Sequence, residues 1–376
     1  MLRQEDLDAA VTEAIVTSAQ ALALADFAAR RQRAHDALIG HEERFRFMRG
    51  FNDFFFATGV VMLGAGMTYF AGPDSGGNLL AAVVVWGLAE LLVRRMRLVL
   101  PGLLLACLFV AFVFRAAPAA VITAVIPDSV LISSALMAGA RRGALTWLEM
   151  VLGGTRDAMI PPAVIALKAL IAGGAAALFY ARFRLPFALL PLAASLVVAV
   201  MAATREIAGP AAQSLVLLLC GLAIFAAAMS FDVSDRERAT RRADCAFWLH
   251  LLAAPLIVHS LISMTVPSLS ALSMTAAVAL TIVAIACLLA LVAVAIDRRA
   301  LLVSTFGYLG IVIAYAITTA RATTLADPTA VFFSTLAALG ILVLGLGVGW
   351  QPLRRALLTL LPTFAVDRLP PAVQAA

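Results

Sequence analysis

The feature that most constrains this chain is a succession of apolar stretches, each about 20 residues long, between Phe51 and Trp350. A helix of about 20 apolar residues crosses the ~30 Å hydrocarbon core of a bilayer. The 376-residue chain is 63% hydrophobic and only 13% charged, whereas soluble domains carry roughly 25% charged residues. The sequence therefore predicts an all-α, polytopic transmembrane helix bundle and excludes an ordinary soluble domain.

Ten of the apolar stretches qualify as membrane spans by length and composition. An eleventh span over 116–140 is an alternative, but Pro118, Pro127 and Asp128 interrupt that segment. The predicted spans are 51–72, 77–93, 98–115, 162–181, 185–203, 209–230, 247–266, 274–296, 301–320 and 329–350.

The placement of the arginines favours ten spans over eleven, because cytoplasmic loops collect Lys and Arg near span ends. With ten spans and an inside N-terminus, 21 arginines fall on the inner side and six on the outer side. An eleventh span would move the arginine-rich loop 232–246 to the outer side. We therefore predict cytoplasmic termini and treat 116–160 as an outer or re-entrant segment. The span count stays open by one or two.

A weak internal repeat accompanies this topology. A descending helix, an arginine-bearing turn and a rising helix recur around Arg95, Arg184, Arg238 and Arg298. The closest pair is RRMRLVLPGLLLA and ARFRLPFALLPLAA, each with proline and leucines just after R-x-R-L. Common topology alone also explains similarity this short, so the repeat does not establish a transporter with duplicated halves.

Residues 1–50 differ in character from the bundle, with eight acidic residues and seven arginines. Thr17 and Gln20 have the spacing of a capping box, which begins a helix. An earlier helix is predicted by apolar residues at i, i+4 and i+8: Leu7, Val11 and Ile15. We predict a cytosolic helical arm that packs on itself, on the membrane surface or on a protein partner.

The other end of the chain predicts an interfacial tail over 351–376. After Trp350, leucines at helical spacing form one apolar face beside Arg354 and Arg355. Aromatic residues lie near predicted span ends, as an interfacial aromatic belt requires: Tyr69, Tyr180, Trp248 and Trp350. The bundle itself, over 51–350, is then followed by a short helix lying in the inner interface.

Four segments of the sequence are similar to an uncharacterised family of bacterial multi-pass membrane proteins. They are TRRADCAFWLHLLAAPLIVHS at 240–260, RGFNDFFFATGV at 49–60, IDRRALLVS at 296–304 and EAIVTSAQALAL at 13–24. The resemblance implies a bacterial inner-membrane location and a short cytosolic helical arm. It implies no activity, cofactor or substrate.

Ionisable residues inside spans are costly and mark functional sites by default. Glu90 lies one turn before Arg94, so it serves either as an i,i+4 ion-pair partner or as a proton or cation site. Lys168 lies inside the outer end of its span, where it snorkels to the interface or contributes to a solute pathway. Asp128 follows Pro127 and lines a cavity if its segment enters the membrane, or forms a surface turn if it does not.

His259 is the most central polar candidate, because it lies well inside the seventh span after Pro255. It serves either as a proton relay or polar-ligand site, or as a hydrogen-bonding residue between helices. His250 is nine residues earlier, and about 100° per residue places the two rings on opposite helix faces. The two histidines are therefore a poor metal pair, and we predict no metal or cofactor site.

No catalytic motif is present among the familiar hydrolase, metalloprotease and phosphate-binding patterns. Gly345 and Gly349 have the small-xxx-small spacing that favours close helix packing. We therefore predict a non-enzymatic membrane protein with no nucleic-acid partner, and a transporter or channel for an unknown small solute leads. A scaffold that recruits a protein through the N-terminal arm is the alternative, followed by an intramembrane enzyme acting on a lipid.

Overall fold

The computed structural model contains only helical regular structure in the part of the chain it describes. No strand occurs there, and the all-α class predicted from the sequence is confirmed. The described residues are 11–13, 15–27, 51–72, 75–117, 162–205, 207–235, 238, 240–265, 274–320, 328–362 and 369.

Ten helices form the described bundle, and each corresponds to one predicted span. Nine of these described helices are long and apolar enough to cross a membrane, and α3, with 17 residues, is a shorter apolar helix. The helices are α1 (Phe51–Ala71), α2 (Ser75–Ala89, continued by a π-helical turn, Glu90–Arg95), α3 (Leu100–Ala116), α4 (Pro162–Phe183), α5 (Leu189–Thr204, preceded by a 3-10 turn, Pro186–Ala188), α6 (Pro210–Ser234), α7 (Arg241–Thr265), α8 (Ala276–Ile296), α9 (Ala300–Ala320) and α10 (Pro328–Leu360).

The helices pack as two groups of five. In the first group α2 packs on α3, α3 on α4, and α4 on α5, around a core that includes Phe109, Phe112 and Phe179. In the second group α7 and α8 pack on α9, and α10 packs on both α8 and α9. Helices α5, α6 and α7 join the groups through a small apolar cluster that includes Ala228 and Leu249.

Four connections lie at the same end of the bundle, which we call the turn end: α2–α3, α4–α5, α6–α7 and α8–α9. Each contains one non-glycine residue with a positive φ of 51 to 57°. Left-handed backbone is uncommon outside glycine, because the Cβ crowds the neighbouring carbonyl. Its recurrence in all four turns supports the weak repeat seen in the sequence. The four residues are Arg97, Arg184, Arg238 and Asp297.

The predicted interfacial tail is in part a continuation of the last span. Helix α10 runs unbroken from Pro328 to Leu360 with Pro352 inside it, so 351–360 do not form a separate helix. Proline lacks an N–H and therefore removes one hydrogen bond from a helix. Membrane helices tolerate it where neighbouring groups satisfy the freed carbonyl oxygen. The aromatic-belt interpretation of Trp350 is wrong, since its side chain is buried inside the bundle.

The capping box predicted at the start of the arm helix is confirmed. The Thr17 amide donates to the Gln20 side-chain oxygen at 2.9 Å, and the Gln20 amide donates to Thr17 Oγ1 at 3.3 Å. The helix that follows covers 18–27. Residues 1–10, 14 and 28–50 of the predicted arm and nearly all of 116–160, including Asp128, lie outside the described residues.

Close helix packing occurs at a different glycine from those predicted. A Cβ at Gly221 in α6 would lie 2.9 Å from the Ile257 side chain and 3.2 Å from the Ile257 amide nitrogen, so α6 and α7 approach closely there. By contrast, no described atom outside the local helix lies within 4 Å of a Cβ built at Gly345 or Gly349. The packing role predicted for that glycine pair is therefore wrong for the described structure.

Candidate functional site

Glu90 makes the ion pair that its sequence position predicts, and a second one besides. Arg94 Nη1 lies 3.4 Å from Glu90 Oε2 one turn along the helix, and Arg182 Nε of α4 lies 2.8 Å from Glu90 Oε1. The groups remain partly exposed, so these pairs are screened by solvent and contribute little free energy. The carboxylate therefore joins the end of α2 to the end of α4 electrostatically.

His259 is hydrogen-bonded across the bundle to another helix. Its Nδ1 lies 2.8 Å from the Tyr308 hydroxyl of α9, and its Nε2 lies 3.5 Å from Ser263 Oγ one turn later in α7. The histidine is exposed on the surface of the described residues, while Tyr308 is half-buried. Interhelical hydrogen bonding is one of the two roles that the sequence left open.

Lys168 is buried between helices. Its Nζ lies 5.1 Å from the centre of the Phe114 ring of α3, within range of a cation–π contact. The ammonium group therefore lies over an aromatic face instead of extending to the surface of the described bundle. Glu90, His259 and Lys168 have separate partners, and the structure does not bring them into one site.

Six ionisable residues from separate parts of the sequence lie together near the turn end. They come from α6, α7, α10 and the two connections α6–α7 and α8–α9. Every member's side chain is at most a tenth exposed. We call these residues the buried ionic cluster: Asp232, Arg238, His250, Asp297, Arg298 and Arg354.

Asp232 is the centre of one half of this cluster. Arg298 binds both of its carboxylate oxygens, one through Nη2 and the other through Nε at 3.1 Å. His250 Nε2 lies 2.9 Å from Asp232 Oδ2. Arg298 also donates to the Ala243 carbonyl oxygen of α7 at 3.2 Å. Asp232 therefore holds α6, α7 and the α8–α9 connection at one point.

Asp297 is the centre of the other half. Its Oδ1 accepts a hydrogen bond of 2.6 Å from Trp350 Nε1, and its Oδ2 lies 3.4 Å from Arg238 Nη1. Arg354, one turn after Trp350 in α10, places its Nε 4.0 Å from Oδ1. Arg299 covers the outer face of the indole at 5.4 Å from the ring centre.

Arg238 also caps the carboxyl end of α8. Its Nη2 donates to the carbonyl oxygens of Ile296 and Asp297, at 3.0 and 2.8 Å. The last carbonyls of a helix lack partners within the helix and carry partial negative charge, so a guanidinium stabilises them. Because Asp297 adopts the left-handed conformation, α8 ends sharply and the turn presents these carbonyls to Arg238.

The cluster combines paired opposite charges, with an excess of one arginine, and one titratable ring. Three arginines face two carboxylates, and the buried His250 adds a group that ordinarily titrates near neutral pH. Its Nδ1 is buried and has no hydrogen-bond partner among the described residues. This arrangement has the chemical means to take up a proton or to respond to a charged solute. No group of three potential metal ligands occurs in the described part of the chain.

The sequence contained two signals for this site that topology obscured. Asp232 interrupts a strongly apolar run near the end of α6, and Asp297 precedes two arginines directly after α8. The positive-inside pattern alone accounts for the arginines as loop residues, and their partners are 55 to 66 residues away along the chain. Short-range spacing therefore gave no indication of the pairing.

Comparison with known proteins adds no identity. No protein-family model matches the chain, and neither a curated protein nor a solved structure is similar to it. The resemblance noted in the sequence stays a prediction.

Proposed function

We propose that this integral membrane protein is a transporter or channel for a small solute, and that the buried ionic cluster belongs to its pathway. The observation that carries the proposal is the burial of Asp232, His250 and Arg298 together inside a bundle of apolar helices. Burying ionisable groups costs free energy, and in membrane proteins such groups line ion and solute pathways or relay protons. A protein that needed only a stable bundle has apolar packing available at lower cost.

The proposed pathway follows the face of α7 that packs against α6. His250, Ala253, Ile257 and Ser260 are all buried and recur at the three- and four-residue spacing of one helix face. The small side chains of Ala253 and Ser260 leave room for a solute at two positions of that face once the helices separate. The proposed orientation keeps both termini in the cytoplasm of a bacterial inner membrane, because the turn end collects the arginines.

Substituted-cysteine labelling tests the proposal. In a background without Cys107, Cys220, Cys245 and Cys287, the conservative changes Ala253→Cys and Ser260→Cys are labelled in membranes by an impermeant thiol reagent. The matched controls are Arg242→Cys, exposed at the start of α7, and Leu219→Cys, an exposed apolar position in the middle of α6.

If the pathway is filled with water, the reagent labels Ala253→Cys and Ser260→Cys from one side of the membrane. It also labels Arg242→Cys, but it does not label Leu219→Cys. Flux of candidate solutes into liposomes containing the protein then identifies the cargo. Labelling of Arg242→Cys alone means that α7 lies in a dry bundle, and it removes the transport proposal.

A scaffold role is the second candidate, favoured by a specific feature of the arm. Ile15, Leu22 and Phe27 are all at least 60% exposed on or beside helix 18–27. Exposed apolar groups on one short helix are typical of a docking element. In that role the arm recruits a protein partner and the ionic cluster only fixes the bundle, without catalysis. A dry α7 face in the labelling experiment supports this candidate.

A further inference from the structure

Exposed arginines from three parts of the chain lie at the turn end of the first helix group. They come from the α2–α3 connection, the α4–α5 connection and the start of α7, and each is exposed. We call these residues the arginine surface: Arg95, Arg97, Arg184, Arg241 and Arg242.

Direct contacts bring these three parts together. The ion pair of 2.8 Å between Glu90 and Arg182 joins the end of α2 to the end of α4. The rings of Phe187 and Trp248, 4.7 Å apart between centres, join the start of α5 to α7. These contacts place the three parts that carry the arginine surface next to one another at the turn end.

Two of the contributing turns have equivalent local structures. Arg97 and Arg184 are the second arginines of the two R-x-R-L motifs, and both have left-handed backbone with φ of 55 and 51°. The next residues, Leu98 and Leu185, are both buried in the same apolar core. Each leucine anchors its turn, and the preceding arginine stays exposed.

The surface carries positive charge that the described residues do not neutralise. Glu90, the acidic residue between these turns, already pairs with Arg94 and Arg182. No carboxylate of the described part of the chain pairs with any residue of the arginine surface. Two apolar side chains beside these arginines are also exposed: Leu91, in the π-helical turn that ends α2, and Met96, in the α2–α3 connection.

We propose that the arginine surface binds the phosphate groups of acidic phospholipids from the surrounding bilayer. The surface lies where α2 and α4 end and α7 begins, which is the depth of the lipid headgroups in a bundle of spanning helices. Guanidinium groups bind phosphate oxygens through paired, charge-assisted hydrogen bonds. Leu91 and Met96 contact the acyl chains next to the headgroup, a combination that a free anion does not use.

Native mass spectrometry of the full-length protein tests this. The protein is released from neutral detergent in the presence of equal amounts of phosphatidylglycerol and phosphatidylcholine, and the ratio of the two bound lipids is measured. We expect phosphatidylglycerol to be preferred, and the double variant Arg97→Gln/Arg184→Gln to lose about fivefold of that preference per arginine. Arg355→Gln, an exposed arginine on α10, is the control and keeps the wild-type ratio.

Three outcomes overturn the proposal. The first is a double variant that keeps the wild-type ratio of bound lipids, and the second is inorganic phosphate, added in place of lipid, that occupies the protein as fully as phosphatidylglycerol does. The third is lipid binding that occurs only after the acidic residues 1–13 are removed. The last would make the N-terminal arm the occupant. If the double variant does not fold, Arg241→Gln/Arg242→Gln carries the same expectation. Failure of this experiment leaves the transport proposal untouched, because the labelled face of α7 is elsewhere.

Discussion

Arg298 binds Asp232 through two nitrogens although the two residues are 66 positions apart, and both side chains are almost fully buried. This pair joins the end of α6 to the α8–α9 connection, and His250 adds α7 to the same carboxylate. A buried pair of this kind is not itself strong evidence for stability, since desolvation offsets much of the attraction. Removal of one partner is costly, because the other charge then remains buried and unpaired.

We therefore expect Asp232→Asn to lower the free energy of unfolding by about 3–5 kcal/mol. The measurement is reversible unfolding in mixed micelles of a mild detergent and dodecyl sulfate. Glu90→Gln is the matched control, since Glu90 pairs with two arginines in a partly exposed setting, and it should cost less than about 1 kcal/mol. Equal losses for the two variants would show that Asp232 is solvated.

Trp350→Phe removes the hydrogen bond to Asp297 but keeps an aromatic ring at the same position. Because the acceptor is a buried carboxylate, we expect the free energy of unfolding to fall by about 1.5–3 kcal/mol. Trp86→Phe is the control, because Trp86 makes ring contacts with Phe109, Phe179 and Phe183 in the first core and should lose less than about 1.5 kcal/mol. A smaller effect at Trp350 than at Trp86 contradicts the role assigned to the indole N–H.

Gly221→Ala introduces a methyl group where α6 meets α7. The nearest atoms include the Ile257 amide nitrogen at 3.2 Å, which cannot move without its helix, so we expect a loss of about 1–3 kcal/mol. At Gly345 the added methyl group meets no described atom within 4 Å, and the better helix propensity of alanine should leave stability unchanged or raise it by about 0.5–1 kcal/mol. Thermal unfolding of both variants in detergent compares the two sites, and the opposite order would refute the assigned packing.

A double-mutant cycle at His259 and Tyr308 measures the hydrogen bond between α7 and α9. The variants are His259→Phe, Tyr308→Phe and the double variant, and we expect a coupling free energy of about 0.6 kcal/mol, typical of such bonds in membranes. No coupling would mean that the two side chains do not interact in the bilayer. A change in solute flux far beyond the change in stability would instead restore His259 as a transport residue.

The helices were predictable from the sequence because membrane spans are defined by local composition. Long apolar runs fix the positions of α8 and α9 within two residues, whereas α7 begins six residues before its predicted span and α10 ends ten residues after its own. Local spacing also predicted the Thr17–Gln20 capping box and the Glu90–Arg94 pair, which involve residues three and four positions apart. Interactions within one turn of a helix can therefore be predicted from residue spacing alone.

The ionic cluster was not predictable in the same way, because its partners meet through the packing of helices. Nothing in the spacing of Arg238 and Asp297 distinguishes an arginine that caps α8 from one that only marks topology. Trp350 was similarly ambiguous, since a tryptophan at a span end fits an interfacial belt as well as a buried hydrogen bond. The direction in which each helix end faces decides between these roles, and it depends on the neighbouring helices.

The length of α10 has a mechanical consequence. Its 33 residues extend about 50 Å, well beyond the ~30 Å hydrocarbon thickness. Because the helix is continuous, a displacement of residues 355–360 also displaces Trp350 and Arg354. Both side chains contact Asp297, so movement of the last turns of α10 is transmitted to the junction between α8 and α9.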